Sequence, residues 1–267
     1  MPSSTPPLTS PLARRRVLTS LAGLPLAGLP LAAVLADPRL AAAAAAGLET
    51  VSIQTRGGKT VGAALALPDK TPAPAVLLVH EWWGLNDQIK SVAAELAREG
   101  YVALAVDLYG GKVAASREDA QSYMKAVDPA RATDALVSWI AWLRGHDKVA
   151  GGIGTIGWCF GGGWSLEASI AAPVEATVVY YGRVERGAAD LAKLKGPVLG
   201  HFATEDQWIN KAMVGAFEAE MAQAGKSVES HWYEAQHAFA NPSGGRYDEA
   251  DAKLAWERTL AFFKEHL

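Results

Sequence analysis

Gly157-Trp158-Cys159-Phe160-Gly161 is the stretch on which the reading of this chain turns. It follows a short apolar run, Ile153 to Ile156, and precedes a segment whose Trp164, Leu166 and Ile170 form the apolar side of a helix. A strand that turns sharply into a helix, with glycine two residues before and two after a nucleophilic side chain, has the pattern of a nucleophile elbow. Here Cys stands where many such elbows carry Ser. The turn brings its backbone close to the sheet and the next strand, so the flanking positions must be small. It also lifts the sulfur above the C-terminal edge of the sheet. The Phe160 N–H and the positive end of the helix converge on the same point, which favours a thiolate and later an oxyanion. Taken alone, the five residues also fit an inert buried Cys.

Working outward from the elbow, short apolar runs recur on both sides. Ala75 to Val79, Val102 to Val106, Ala176 to Tyr180 and Val198 to Phe202 are each bounded by Gly, Pro or charged residues, and Val228 to Tyr233 is a last strand. Unbroken apolarity in such runs predicts strands covered on both faces, as in a parallel sheet. Helical periods lie between them. Ile89, Val92, Ala93 and Leu96 fit one helical face, as do Leu136, Trp139, Ile140 and Leu143, and Trp256, Leu260, Phe263 and Leu267 fit another at the C-terminus. Upstream, Val51 to Thr55 and Lys59 to Leu67 flank Gly57-Gly58 and predict an antiparallel hairpin. The expected class is α/β: a mostly parallel central sheet with helices on both faces and an N-terminal hairpin, in one domain.

Composition narrows the function. The 267 residues are half apolar and carry 25 basic against 28 acidic side chains, which does not supply the positive field a nucleic acid needs. The single Cys excludes an internal disulfide and a zinc site built from several thiolates. Residues 1–46 differ from the rest. Arg14-Arg15-Arg16 precede a mildly hydrophobic stretch from Leu18 to Ala36, interrupted by Pro25 and Pro30, and an Ala-rich tail follows. This pattern predicts a signal peptide, cleaved within residues 36–47, and the paired arginines before Val17-Leu18 resemble a twin-arginine signal. The expectation is an exported protein, periplasmic or secreted, whose domain spans residues 47–267. No later apolar run reaches the roughly 18 residues needed to span a bilayer, so no stable membrane anchor is expected.

Elbow hydrolases carry their acid and His, in that order, on loops after later strands. Asp206 follows the Val198 to Phe202 run and His237 follows the last strand, so both are available in sequence order. Each has an ordinary alternative, Asp206 as a helix cap and His237 as a loop side chain bound to backbone.

Four motifs now carry a resemblance to the dienelactone hydrolase family of α/β-hydrolases over most of the chain after the leader. They are His80-Glu81-Trp82-Trp83-Gly84, Gly157 to Gly163, Gly200 to Asp206, and His237-Ala238-Phe239. The combination of Glu81 with a Cys nucleophile is the most specific of these marks. The resemblance implies an α/β-hydrolase fold, carboxylic ester hydrolase activity on a small ester or lactone, Cys159 as nucleophile, His237 as base, Asp206 as its orienting acid, and Glu81 as a carboxylate facing the thiol. A carboxylate there has a physical rationale. It can take the proton of a thiol that would otherwise stay neutral in an apolar pocket, or release the Cys to His237 when substrate arrives. The Trp82 backbone N–H is the natural second oxyanion donor beside Phe160.

Tyr180 and Tyr181 match a family tyrosine pair and, with Trp83, are candidates for the pocket wall. Dienelactone-cleaving members place a carboxylate-binding Arg four residues after the His; here that residue is Asn241, also assigned to the pocket. Arg117 sits near the place of another family arginine, but Tyr123 argues for a different register, and no role is assigned to it. His80 and His201 fit structural roles at strand ends. No metal or organic cofactor is implied, and a monomer is expected. Alternatives from other classes are an esterase or thioesterase whose substrate is no lactone, and a non-catalytic binding protein on the same fold.

Overall fold

The apolar runs become inner strands because alternate residues of each feed two different cores. The computed structural model describes residues 29–267. Strands β1 (Glu49–Gln54), β2 (Thr60–Ala66), β3 (Ala73–Val79), β4 (Val102–Val106), β5 (Val149–Trp158), β6 (Ala176–Tyr180), β7 (Val198–Ala203) and β8 (Val228–Tyr233) form one sheet in the order β1-β2-β4-β3-β5-β6-β7-β8. Pairings of β2 with β1 and with β4 are antiparallel, and those from β4 through β8 are parallel. Among the described residues, the helices are α1 (Leu31–Ala36), α2 (Pro38–Ala45), α3 (Asp87–Arg98), α4 (Arg117–Ala126), α5 (Pro129–Gly145), α6 (Phe160–Ala171), α7 (Ala188–Leu191), α8 (Lys211–Gln223) and α9 (Glu249–His266).

On β3, Val76 and Leu78 join Ile89, Val92 and Leu96 of α3 and Phe262 and Phe263 of α9 in one core. Ala75, Leu77 and Val79 point the other way, onto Leu136, Trp139, Ile140 and Leu143 of α5. Farther along that second face, α6 and α8 cover β6 and β7 through Leu166, Ile170, Val214 and Phe217. This two-sided burial is what the continuous apolarity encodes. Local signals fix the helix starts. The Asn86 side chain accepts from the Ile89 N–H at 3.1 Å, and Asp248 caps α9.

The expected hairpin and parallel sheet are both present. β5 starts four residues earlier than its apolar run predicts. The Val149–Gly152 stretch, whose two glycines break the apolar run, is recruited by pairing Val149 with Ala73 and by the Gly152 N–H donating to the Leu267 carbonyl.

At the other end, the arginine cluster at 14–16 lies outside the described residues. The tail of the expected leader packs on the domain: Val34, Leu35, Ala41 and Ala45 are buried, and the Ser91 hydroxyl of α3 donates to the Ala41 carbonyl at 2.9 Å. The expected boundary at residues 46 and 47 falls in the short link between α2 and β1.

His201 is fully buried on β7. Its Nδ1 meets the Tyr233 hydroxyl at 2.8 Å and its Nε2 the Thr259 hydroxyl of α9 at 3.0 Å, the structural role its position suggests.

The elbow is among the tightest points of the fold. A Cβ on Gly157 would fall on the Gly161 carbonyl, and one on Gly161 would fall on the Val79 and His80 carbonyls. Backbone cannot yield as a side chain can, so Gly161→Ala should destabilise the domain by about 3 kcal/mol or more, at the upper end of what overpacking costs. Urea unfolding followed by circular dichroism checks this, with a change under about 1 kcal/mol counting against so close an approach.

Candidate active site

The candidate nucleophile, acid and base sit where the parallel strands end, the edge at which open α/β sheets place their ligands. Cys159 joins β5 to α6 with φ 54° and ψ −116°, a left-handed conformation that a non-glycine residue keeps only when its surroundings enforce it. Its N–H donates to the Tyr180 carbonyl at 3.0 Å, its own carbonyl accepts from the Gly162 N–H at 3.1 Å, and the Phe160 N–H donates to the sulfur. The elbow pattern by itself favours a thiolate here. In the folded site burial and the negative field of Glu81 outweigh the Phe160 N–H, and the thiol is pushed up to about 12. The resting side chain is therefore a protonated thiol at neutral pH.

Asp206 and His237 meet across the gap between the β7 and β8 loops. Asp206 Oδ1 accepts from the backbone N–H groups of Trp208 and Ile209 at 2.8 and 3.0 Å, while Oδ2 lies 2.6 Å from His237 Nδ1. Burial opposes ionisation of Asp206, but the bond from His237 and the two backbone donors prevail and hold its carboxyl below the usual range. Since a carboxylate can only accept, Nδ1 donates to it, and in the neutral ring Nε2 is then the nitrogen that bears the lone pair. Asp206 is not a helix cap, since Asn210 caps α8; its Oδ1 closes the turn through Trp208 and Ile209 while its Oδ2 serves His237. Tyr181 and Trp208 flank the imidazole, with ring centroids 5.2 and 5.1 Å away.

Glu81, at the end of β3, is 3% exposed. Asn241 Nδ2 donates to its Oε2 at 2.5 Å and the Tyr181 hydroxyl to its Oε1 at 3.4 Å. Burial raises its carboxyl above the usual range, against the pull of Asn241, His237 and Tyr181. Two of the pocket assignments change as a result. Asn241 is buried behind Glu81, and its Oδ1 accepts from the Ser243 N–H and hydroxyl at 3.0 and 2.6 Å, which fixes which way the amide faces. It holds a carboxylate of the protein. Tyr180 is no part of the wall. Its hydroxyl bonds Thr259 at 2.7 Å in the α9-side core, because adjacent strand residues face opposite ways. Tyr181, one residue later with φ 36°, turns onto Glu81 and His237.

Trp82 and Trp83 stack edge to face at 5.0 Å on the loop after β3, and Arg117 is exposed as the first residue of α4. His80 is structural as expected, with Nδ1 2.6 Å from the Glu81 carbonyl and Nε2 accepting from the Leu108 N–H at 3.2 Å. A cavity of about 220 Å³ opens beside His237 between Glu205, Gln207, Trp208, Gln236 and Arg246. Trp208, 57% exposed, stands at its rim with the Arg246 guanidinium 5.3 Å above the ring. No motif marks Trp208, since a single loop aromatic has no period to read. A larger cleft of about 620 Å³ lies between α2, α3 and the β2–β3 link, away from all these residues. Among the described residues no cluster of three His, Cys, Asp or Glu could hold a metal ion, and no helix is long and apolar enough to cross a membrane.

The sheet order, the elbow and the residues gathered at the strand ends define an α/β-hydrolase-type fold. Residues 61–267 match the model of the dienelactone hydrolase family, and the chain belongs to that family. Carboxymethylenebutenolidases from Pseudomonas putida and from Pseudomonas sp. strain P51 are each 30% identical to it, over 80% and 81% of this chain and 95% and 94% of theirs. A crystal structure of a dienelactone hydrolase-like promiscuous phosphotriesterase from metagenomic libraries superposes with a TM-score of 0.75 at 23% identity, covering 82% of this chain and 98% of that one, a likeness of fold. The chain is a dienelactone hydrolase-like enzyme, a hydrolase acting on a lactone or ester bond.

The buried thiol yields a pH prediction. A group whose charged form is disfavoured stays protonated to higher pH, so alkylation of Cys159 by iodoacetamide should be slow near pH 7 and accelerate through the alkaline range. Glu81→Gln removes the negative neighbour and should move the midpoint downward. A rate already at its plateau by pH 7 in the unmodified protein would contradict the electrostatics described.

Proposed function

We propose that the protein hydrolyses small esters or lactones by acyl transfer through Cys159, His237 and Asp206. The observation that carries this reading is the 2.6 Å contact of Asp206 with His237 Nδ1, which leaves Nε2 as a base on the sheet edge where the elbow presents the sulfur. Substrate binding displaces water and brings the carbonyl to the thiol. The Cys159 proton passes to His237 Nε2 as the sulfur attacks, the Phe160 and Trp82 N–H groups hold the oxyanion, and collapse expels the alcohol or enol oxygen, which takes the proton back. The resulting thioester is attacked by water, whose proton goes to His237; acid is released and the thiol restored.

Burial, and after it Glu81, keeps the resting thiol neutral, which limits oxidation of a nucleophile working outside the cytoplasm. Since Asn241 serves Glu81 and brings no cation to the pocket, neutral esters or lactones are expected to be hydrolysed at least as well as carboxylated ones. Cys159→Ala and His237→Ala should each lower kcat by roughly three or more orders of magnitude, with the double variant little worse than either. Near-normal hydrolysis by a folded Cys159→Ala protein would refute the mechanism.

We also propose export through the twin-arginine route to the periplasm or beyond. The arginine cluster, the mild apolar run and the Ala-rich tail support it. Cleavage after Ala36 keeps the buried Ala41 and Ala45 of α2 but removes Val34 and Leu35, which are buried as well. N-terminal sequencing of protein from a native host should find a start between residues 37 and 48. Met1 retained on cytoplasmic protein would overturn the export reading.

A further inference from the structure

Tyr109 lies on the loop after β4 and has no part in the chemistry just described. Its side chain is 8% exposed, and its hydroxyl is buried without a hydrogen-bond partner, whereas the buried phenols of Tyr180, Tyr181 and Tyr233 all have one. A buried hydroxyl left unpaired is costly, and one beside a candidate nucleophile is satisfied if a bound ligand supplies the partner.

The ring is held firmly. The Tyr109 backbone N–H donates to Asp107 Oδ1 at 2.8 Å, and the preceding Leu108 N–H donates to His80 Nε2. The ring packs edge-on to His80 at 4.6 Å and tilted against Phe160 at 5.6 Å, next to the nucleophile. Gly84, on the loop carrying Trp82, leaves room for it, since a Cβ there would press on Tyr109 Cδ2. The phenol thus stands among the residues that supply both oxyanion N–H groups. Burial, and after it the charge of a Cys159 thiolate, raises its pKa, so it remains a neutral O–H donor throughout turnover.

We propose that Tyr109 is a further catalytic residue, whose hydroxyl donates a hydrogen bond to an oxygen of the acyl group carried on Cys159. The proposal rests on the acyl-transfer reading above. It commits to a ligand chemistry: the acyl part of the substrate presents an acceptor oxygen on the Phe160 side of the sulfur. The bond forms only with substrate bound, so it contributes to turnover and nothing to the stability of the free enzyme.

Tyr109→Phe removes the oxygen and keeps the ring. The expected result is a fall in kcat/KM of about 10- to 100-fold toward an aryl ester and an unsaturated lactone, on the scale of one lost donor to a developing charge. The melting temperature should be unchanged or higher, because an unpaired buried hydroxyl is gone, and the rate of Cys159 alkylation by iodoacetamide should stay within about twofold. A kcat/KM within about threefold of the unmodified enzyme overturns the proposal. So does a loss of activity that tracks a lower melting temperature, or slowed alkylation, which would place the hydroxyl on the thiol. If the unmodified enzyme hydrolyses none of these substrates, the acyl-transfer reading fails and the proposal falls with it.

Discussion

The left-handed backbone of Cys159 is the constraint on which the rest of the site depends. A side chain at φ 54° is held there only because the chain on both sides is pinned: the Cys159 N–H to the β6 end, its carbonyl to the first turn of α6, and Gly157 and Gly161 pressed against each other and against the end of β3. Cost and purpose are coupled. The strain that lifts the sulfur out of the sheet also carries the neighbouring strand ends to it, so that Glu81, Tyr181 and the Phe160 N–H are placed by one backbone arrangement.

Around that point the electrostatics are those of a site kept quiet. Burial is the largest influence on both Cys159 and Glu81, and it favours the neutral form of each. Asn241 and Tyr181 give Glu81 neutral donors, and no cation of the pocket is spent on it. Asp206 is the contrast, a carboxyl whose two backbone donors and His partner overcome burial. Three acidic groups within one cleft thus have three different proton affinities, and acid and base roles can be divided between them.

Much of this is legible in the sequence. Unbroken runs such as Ala75 to Val79 identify strands because both faces are buried, and the order Cys159, Asp206, His237 survives folding because it follows strand ends. What escapes the sequence depends on direction. Position along the chain assigns Asn241 and Tyr180 to the pocket, yet one faces the back of Glu81 and the other the α9 core. A side chain's facing is set by single-residue register and by turns such as the left-handed Tyr181, which leave no periodic trace. Tyr109 and Trp208 carry no mark in sequence for the same reason. The first four residues of β5 are missed as well, because their two glycines break the apolar run and their pairing is supplied by parts of the chain distant in sequence.

The buried histidine of β7 shows how far an ionisable residue can be removed from acid–base behaviour. Thr259 donates its one hydroxyl proton to the Ala255 carbonyl, so it can only receive from Tyr180 and from His201 Nε2–H. Nδ1 must then accept from Tyr233, which in turn accepts from Arg258. Every proton in the chain from Arg258 to the α9 backbone has one allowed direction. His201 is locked as a single neutral tautomer, a polar rivet of fixed orientation between three strands and the C-terminal helix, and a second proton on its ring would leave two donors facing each other.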